Sequence, residues 1–133
     1  MRETLKAYWQ DLEDVVESND PKELTLEQAL NRWADGNGSE GNFFGLIDEE
    51  DRTIQFCFVD SIPDHVGDAS HLEIVLVDFP VPSLAGSYQK IVSIGESPRF
   101  IERAFEFGAS HENFDDLESV SYTHLTLPTK RIV

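Results

Sequence analysis

The clearest indication of a β-sheet is the segment Asn42-Phe-Phe-Gly-Leu-Ile-Asp-Glu-Glu-Asp-Arg-Thr-Ile-Gln-Phe-Cys-Phe-Val-Asp60. It holds two runs of apolar and aromatic residues, 42–48 and 53–60, which are typical of strands. The polar residues between them, 49–52, fit a short hairpin connection. In the second run Ile54, Phe56 and Phe58 share one side, because side chains alternate along a strand. The stretch therefore predicts an antiparallel hairpin.

Two more strands are predicted after this hairpin. Residues 71–79 form the third strand, which Pro80 and Pro82 are expected to end, since proline cannot donate to a sheet ladder. Residues 87–95 form the fourth strand. Consecutive strands with short connections favour an antiparallel meander, so the sequence predicts a four-stranded sheet of this kind.

Two helices are predicted before the sheet. In the first, between Leu5 and Glu17, apolar side chains recur at helical spacing, and Pro21 prevents the helix from continuing. The second helix begins at Thr25, because Thr25-Leu-Glu-Gln28 matches a capping box. Trp33 falls on the apolar stripe of this helix, and we expect it in the core rather than in a binding platform.

A third helix is predicted after the sheet. Ser97 is a suitable N-cap, Pro98 suits the first helical position, and Gly108 suits the end of the helix. Helices that are segregated from an antiparallel sheet give an α+β fold. We therefore expect two N-terminal helices, a four-stranded antiparallel meander, and a C-terminal helix packed on one face of the sheet.

The chain is strongly acidic. Among its 133 residues, 26 are Asp or Glu and 10 are Lys or Arg, and the net charge is −16. A hydrophobic content of 40% is too high for an acidic disordered segment, and the length fits one domain. The charge repels nucleic acid and anionic lipid surfaces, whereas it attracts a basic partner. The alternative is that the acidity serves solubility alone.

The sequence also predicts the cellular location of the protein and the state of its cysteine. The N-terminus lacks the basic and apolar layout of a signal peptide, and no apolar run reaches the ~20 residues that span a bilayer. We therefore expect a cytoplasmic protein. Cys57 is the only cysteine, so no intramolecular disulfide forms, and its place in an apolar strand predicts a buried, inert thiol.

The last residues, 120–133, are predicted to be foreign to the protein. Back-translated, Val120–Thr129 resembles the transposase mosaic end and read adapter of DNA-sequencing libraries. Foreign tails are excluded from fold reasoning, which leaves one domain, 1–119, whose native end is not visible. Without Lys130 and Arg131, the net charge of −16 becomes −18. The alternative is a genuine strand that ends in a basic patch.

No catalytic signature is present. His65 and His71 lie near several aspartates, but their spacing matches no established metal-ligand motif. The chain has no Gly-x-Ser-x-Gly elbow, and no Cys–His pairing is supported. Clustered carboxylates such as those at 49–51 show neither the separation nor the distinct pKa values that hydrolysis needs. We therefore expect neither an enzyme nor a metal or other cofactor.

The layout resembles small α+β immunity proteins of bacterial toxin systems. The resemblance rests on the strand patterns at 42–48, 53–56 and 71–75 and on the capped helix at Ser97-Pro98, and it covers roughly residues 20–108. It implies a cytoplasmic, non-enzymatic protein that blocks a toxin by direct binding. Such families share no catalytic residues that could be transferred to this chain.

The candidate contacts for a basic partner lie in the hairpin turn and in the loop after the second strand, since loops on a rigid sheet are favoured for recognition. They are Glu49, Glu50, Asp51, Asp60, Asp64 and Asp68. Both segments are also compatible with plain solvated turns. The competing class of function is a small enzyme or ligand-binding domain with a pocket between the sheet and the helices.

Overall fold

Residues 1–121, which the computed structural model describes, form an α+β fold with one open sheet of eight strands and two α-helices. The strands are β1 (Leu5–Asp11), β2 (Asp14–Val16), β3 (Lys22–Leu24), β4 (Phe43–Ile47), β5 (Thr53–Phe58), β6 (Val75–Val81), β7 (Gly86–Val92) and β8 (Glu118–Ser121). The helices are α1 (Leu26–Asp35) and α2 (Ser97–Phe107). Short 3-10 helices occupy Pro82–Leu84 and His111–Asn113.

The sheet runs in the order β2-β1-β4-β5-β6-β7-β8, and β3 also pairs with β1. Each of these pairings within residues 1–121 is antiparallel. The predicted four-stranded antiparallel meander is confirmed as β4 to β7. It forms the centre of a larger sheet, because further strands extend it at both edges.

The predicted first helix, between Leu5 and Glu17, is wrong. This segment forms the hairpin of β1 and β2, in which Asp11 pairs with Asp14. The chain reverses at Leu12, which has a positive φ of 58°, where hairpins normally place Gly, Asn or Asp. The turn therefore has no sequence signal. The Leu12 backbone N–H donates to Asn42 Oδ1 at 3.3 Å, so a distant residue helps to hold this turn.

The second predicted helix is confirmed as α1. Thr25 Oγ1 accepts from the Gln28 backbone N–H at 3.2 Å, and Gln28 Oε1 accepts from the Thr25 N–H at 2.9 Å. The reciprocal bonds satisfy donors that a helix start leaves free. The Trp33 ring packs on Phe56 and Phe58, with centroids 5.5 and 5.2 Å away, which confirms that Trp33 joins the core.

The third predicted helix is confirmed as α2, but its cap differs from the prediction. Glu96 is the N-cap residue, and Ser97 is already helical and buried. The Ser97 hydroxyl donates to the Ile94 carbonyl at 2.6 Å and accepts from Trp33 Nε1 at 2.7 Å. Ser97 therefore joins the two helices, and it does not satisfy the N-terminal amides of α2.

The boundaries of β6 also differ from the prediction. The strand begins at Val75, because residues 71–74 belong to the preceding loop, and it continues through Pro80 to Val81. Pro80 is paired with Ser87 in the β6–β7 ladder, and Pro82 opens the short 3-10 helix. Only Pro82 therefore ends the strand as expected.

The core lies between both helices and one face of the sheet, the helical face. Phe44 of β4, Phe56 of β5 and Val77 of β6 are neighbours on this face, and they form one buried cluster with Ile101 and Phe105 of α2. The prediction that α2 packs on one sheet face is therefore confirmed. The other face, the open face, has no helix of residues 1–121 packed on it.

The adapter-like tail begins within β8. Val120 pairs with Ser87, and Ser121 pairs with Gly86. Residues 122–133 lie outside the described part of the chain, and the foreign origin of 120–133 stays a prediction.

Neither helix within residues 1–121 has the length and apolar composition that crossing a membrane requires.

Candidate functional site

The two predicted acidic segments lie at opposite ends of the sheet. Glu49, Glu50 and Asp51 form the turn before β5, at what we call the hairpin end. Asp60, Asp64 and Asp68 lie in the connection after β5, residues 59–74, which we call the acidic loop. It emerges at the other end, the loop end. At about 3.3 Å per residue, β5 separates the segments by roughly 20 Å, so they do not form one continuous patch.

The hairpin turn is organised by a buried carboxylate, Asp48, whose side chain is 0% exposed. Its Oδ1 accepts from the backbone N–H groups of Glu50 and Arg52 at 2.9 and 3.0 Å. Its Oδ2 accepts from Arg52 Nε at 2.9 Å and from the Ala109 N–H at 2.8 Å. Asp48 thus holds the turn in place and connects it to Ala109, which follows Gly108 at the C-terminal end of α2.

Two carboxylates of the hairpin turn, Glu49 and Glu50, face arginines. Arg2 donates to both carboxylate oxygens of Glu49, at 2.8 and 2.7 Å, and to the Glu106 carbonyl at the end of α2 at 3.2 Å. The hydrogen bonds from Arg2 lower the pKa of Glu49 to about 2. Glu50 lies 3.6 Å from Arg52. At the hairpin end, hydrogen bonds from Arg2 therefore connect the N-terminal residues, the turn and the end of α2.

The acidic loop is fastened at its base to two other loops. The Val59 N–H donates to the Ile74 carbonyl at 3.0 Å and closes the loop. The Ile62 N–H donates to the Gly38 carbonyl at 2.9 Å, and the Gly95 N–H donates to the Ser70 carbonyl at 2.8 Å. A connection beyond about 12–15 residues without regular structure is uncommon and often functional. These contacts hold the loop on the rigid sheet.

The carboxylates of the acidic loop lie in solvent. Asp60, Asp64, Asp68 and Glu73 are all exposed, and residues 53–89 contain neither Lys nor Arg. In the described part of the chain, none of the four forms a salt bridge. The Ser70 N–H donates to Asp68 at 3.0 Å, and this hydrogen bonding, with a smaller contribution from His71, lowers the pKa of Asp68. Within residues 1–121, the acidic loop therefore presents carboxylates that form no salt bridge with Lys or Arg.

A nearby arginine is already occupied. Arg32 of α1 pairs with Asp11 and Asp14 of the β1–β2 hairpin, and its guanidinium lies 5.4 Å from the centroid of the Trp9 ring. Asn37, which follows α1, donates its N–H to Asp11 at 2.9 Å. Arg32 is thus committed to the β1–β2 hairpin and forms no salt bridge with the acidic loop.

An apolar row crosses the open face near the acidic loop. The strand registers align Phe43, Cys57, Leu76 and Ile91 side by side across β4 to β7. Ile91 is 47% exposed. Cys57 is buried, as the sequence predicts.

A polar row lies beside it on the same face. Tyr8, Gln55, Asp78 and Gln89 are aligned across the strands, with Gly45 between Tyr8 and Gln55. The Tyr8 hydroxyl donates to Gln55 Oε1 at 2.6 Å, and Gln89 Nε2 donates to Asp78 Oδ1 at 3.0 Å. Burial, and then the negative charge of Asp78, raise the pKa of Tyr8. The polar groups of this row are thus bonded to one another.

A small cavity lies between the sheet and α1, where the competing enzyme hypothesis expects a pocket. Trp9, Asp11, Arg32 and Asn42 are among its lining residues, and its volume is about 20 Å³. This is room for about one water molecule, whereas ligand sites measure roughly 300–1,000 Å³. Its charged groups are already paired with one another.

The predicted histidines do not converge on a metal site within the described residues. His65 and His71 are both exposed in the acidic loop. No group of three or more His, Cys, Asp or Glu side chains in residues 1–121 is arranged to hold a metal ion.

Sequence reasoning missed Asp48 and the exposed members of the apolar row. Asp48 had a usable signal, because Asp is favoured at the first position of a turn. Because Ile91 alternates with Lys90 and Val92 along β7, the sequence predicts on which face of the strand it lies. Its exposure, however, depends on where the helices pack.

No protein-family model matches the chain, and no curated protein and no solved structure matches it either.

Proposed function

We propose that this protein is a non-enzymatic binding module that engages a basic protein partner through the acidic loop. One observation carries the proposal: four exposed carboxylates on an anchored loop have no cationic partner among the described residues. The hairpin end contrasts with it, because Glu49 and Glu50 face Arg2 and Arg52. Of the two predicted contact segments, the acidic loop is therefore the stronger candidate.

The electrostatics of the whole chain favour this function. A net charge of −16 creates a negative potential that reaches about 8 Å into physiological salt. Complementary charge mainly accelerates association and excludes wrong partners, while the surface area contributes less to the rate. Because the carboxylates of the acidic loop are exposed, we expect this loop to attract a basic partner.

The specific form that we propose is a cytoplasmic immunity protein that blocks a basic toxin. Its support is the resemblance of the strand patterns and of the capped helix at Ser97-Pro98 to toxin-immunity proteins. A protein that blocks a toxin by direct binding needs no catalytic group. This agrees with the small volume of the cavity beside α1 and with the polar row, whose side chains are hydrogen-bonded in pairs.

The experiment is to capture the partner from the native host and to measure association rates at increasing salt. The test variant replaces Asp60, Asp64 and Asp68 by Asn, which keeps the turn-forming ability of Asp. The control removes the same number of charges at the hairpin end, as Glu50→Gln, Asp51→Asn and Glu106→Gln.

We expect a basic partner whose association rate falls steeply with salt. The rate should fall by a further factor of about ten in the loop variant and hardly change in the control. A neutral small-molecule ligand, or a rate that is indifferent to salt and to the loop charges, contradicts the proposed function.

A further inference from the structure

The acidic loop adjoins exposed apolar surface on the open face. Val59, the first residue of the loop, is 44% exposed, and Ile91 is 47% exposed. Val59 directly follows Phe58, the last residue of β5. Cys57 pairs with Leu76, and Leu76 pairs with Ile91. Together, Val59 and the apolar row form what we call the apolar patch: Phe43, Cys57, Val59, Leu76 and Ile91.

The apolar patch and the acidic loop share a border. Asp60 follows Val59 directly. The Val59 N–H donates a hydrogen bond to the carbonyl of Ile74, the residue after Glu73. The carboxylates therefore stand along one edge of an apolar surface. A partner segment with only charged side chains would leave the apolar patch in contact with water. A segment with only apolar side chains would face carboxylates that form no salt bridge within residues 1–121. A partner segment that carries both kinds of side chain satisfies the two parts together.

We propose that the apolar patch and the acidic loop together bind an amphipathic basic segment of a protein partner, with its apolar side chains on the patch and its Lys or Arg side chains against Asp60, Asp64 and Asp68. This inference rests on the proposed function and adds the chemistry of the partner segment. The charge of the loop decides the occupant, because a second copy of this acidic chain would bring like charges together.

The two parts of the surface affect different rate constants. The carboxylates attract the segment from a distance and raise the association rate. The apolar contacts form only after docking, so they slow dissociation. Burying half-exposed side chains such as Val59 and Ile91 is expected to change the affinity by about tenfold in total.

The test uses three synthetic peptides of equal length: alternating Lys and Leu, alternating Lys and Ser, and alternating Glu and Leu. Binding is measured by isothermal titration and stopped-flow. The protein variant combines Val59→Thr and Ile91→Thr, since Thr keeps the branched shape that suits strands. The matched control is Leu84→Thr, because Leu84 is 60% exposed in the 3-10 helix at the opposite end of the sheet. Far-UV circular dichroism checks that each variant folds, and the single variant Ile91→Thr replaces the pair if folding fails.

We expect the Lys/Leu peptide to bind at least about tenfold more tightly than the Lys/Ser peptide, and the Glu/Leu peptide not to bind. The double variant Val59→Thr and Ile91→Thr, called the Thr pair below, should speed dissociation of the Lys/Leu peptide about tenfold. Its association rate and its binding of the Lys/Ser peptide should change little. Leu84→Thr should leave the binding of every peptide unchanged. Equal binding of the Lys/Leu peptide to the Thr pair and to the wild type overturns the apolar inference. If the Asn variant of the acidic loop still weakens that binding, the proposed function stands. If the Asn variant also has no effect, both fail.

Discussion

The indole Nε1 of Trp33 donates a hydrogen bond to the hydroxyl of Ser97 at 2.7 Å, and this bond joins α1 to α2 above the sheet. Trp33 also packs its ring on Phe58. Trp33 and Ser97 thereby connect both helices to β5, the strand that precedes the acidic loop. The base of the loop is therefore held by the packed core.

Replacing Ser97 by Ala is expected to lower the free energy of unfolding by about 1–2 kcal/mol, because the Trp33 donor loses its partner in a largely buried position. Urea denaturation measures the change. Ser83→Ala is the matched control, since Ser83 is exposed in the short 3-10 helix and should leave stability within about 0.5 kcal/mol of the wild type. An equal effect of the two substitutions would show that the bond between the helices contributes nothing.

Gly45 allows the Tyr8 ring to lie flat over β4. A Cβ at this position would come within 2.1 Å of Tyr8 Cζ, so Gly45→Ala should displace the ring from Gln55 and destabilise the fold by about 2 kcal/mol. Gly67→Ala in the acidic loop is the control, because nothing lies within 4 Å of its added Cβ. Thermal melts should show a lower Tm for the first variant and an unchanged or slightly higher Tm for the second.

Asp48 is expected to be the most sensitive acidic residue of the hairpin end. Asp48→Ala removes the acceptor for three backbone N–H groups and for Arg52, and should cost about 3 kcal/mol of stability. Asp51→Asn should be close to neutral, because Asn tolerates the positive φ of 61° that Asp51 adopts. Chemical denaturation of both variants makes the comparison, and a neutral Asp48→Ala would refute the organising role of this carboxylate.

The ion pair of Glu49 predicts a pH dependence. Its pKa falls from an ordinary value of 4.5 to about 2 in the folded protein, so its contribution to stability is fully present above pH 4.5 and is lost as the pH falls toward 2. The stability difference between the wild type and Glu49→Gln should therefore be constant near neutral pH and shrink within this window. Because Glu49 is exposed, 1 M salt should reduce the difference. A difference that stays constant from pH 7 to 2 would contradict the pairing with Arg2.

Local signals in the sequence account for the parts of the fold that were predicted correctly. The capping box of Thr25 and Gln28 and the alternation of Ile54, Phe56 and Phe58 each involve residues close together in the chain. The β1–β2 hairpin was missed because Leu12 turns the chain without Gly or Asn, and because Leu5 and Trp9, four residues apart, share a face in either a helix or a strand. Contacts with Asn42 and Arg32 decide between helix and strand there, and these contacts are distant in sequence.

The candidate site was predictable only in its charge. The sequence alone identifies Asp60, Asp64 and Asp68 as acidic loop residues, but it gives the same weight to Glu49. The difference arises from Arg2, which lies 47 residues away from Glu49 along the chain. The apolar patch was equally out of reach, because the exposure of Ile91 depends on which face of the sheet both helices cover.

A nuclear magnetic resonance titration of the ¹⁵N-labelled protein with its captured basic partner tests directly whether the acidic loop binds that partner. We expect the amide signals of residues 59–74 to change most and those of the hairpin turn at 49–51 to stay in place. The changes should weaken as salt is added. Changes centred on the hairpin turn or on the helices, with the acidic loop unaffected, would contradict it.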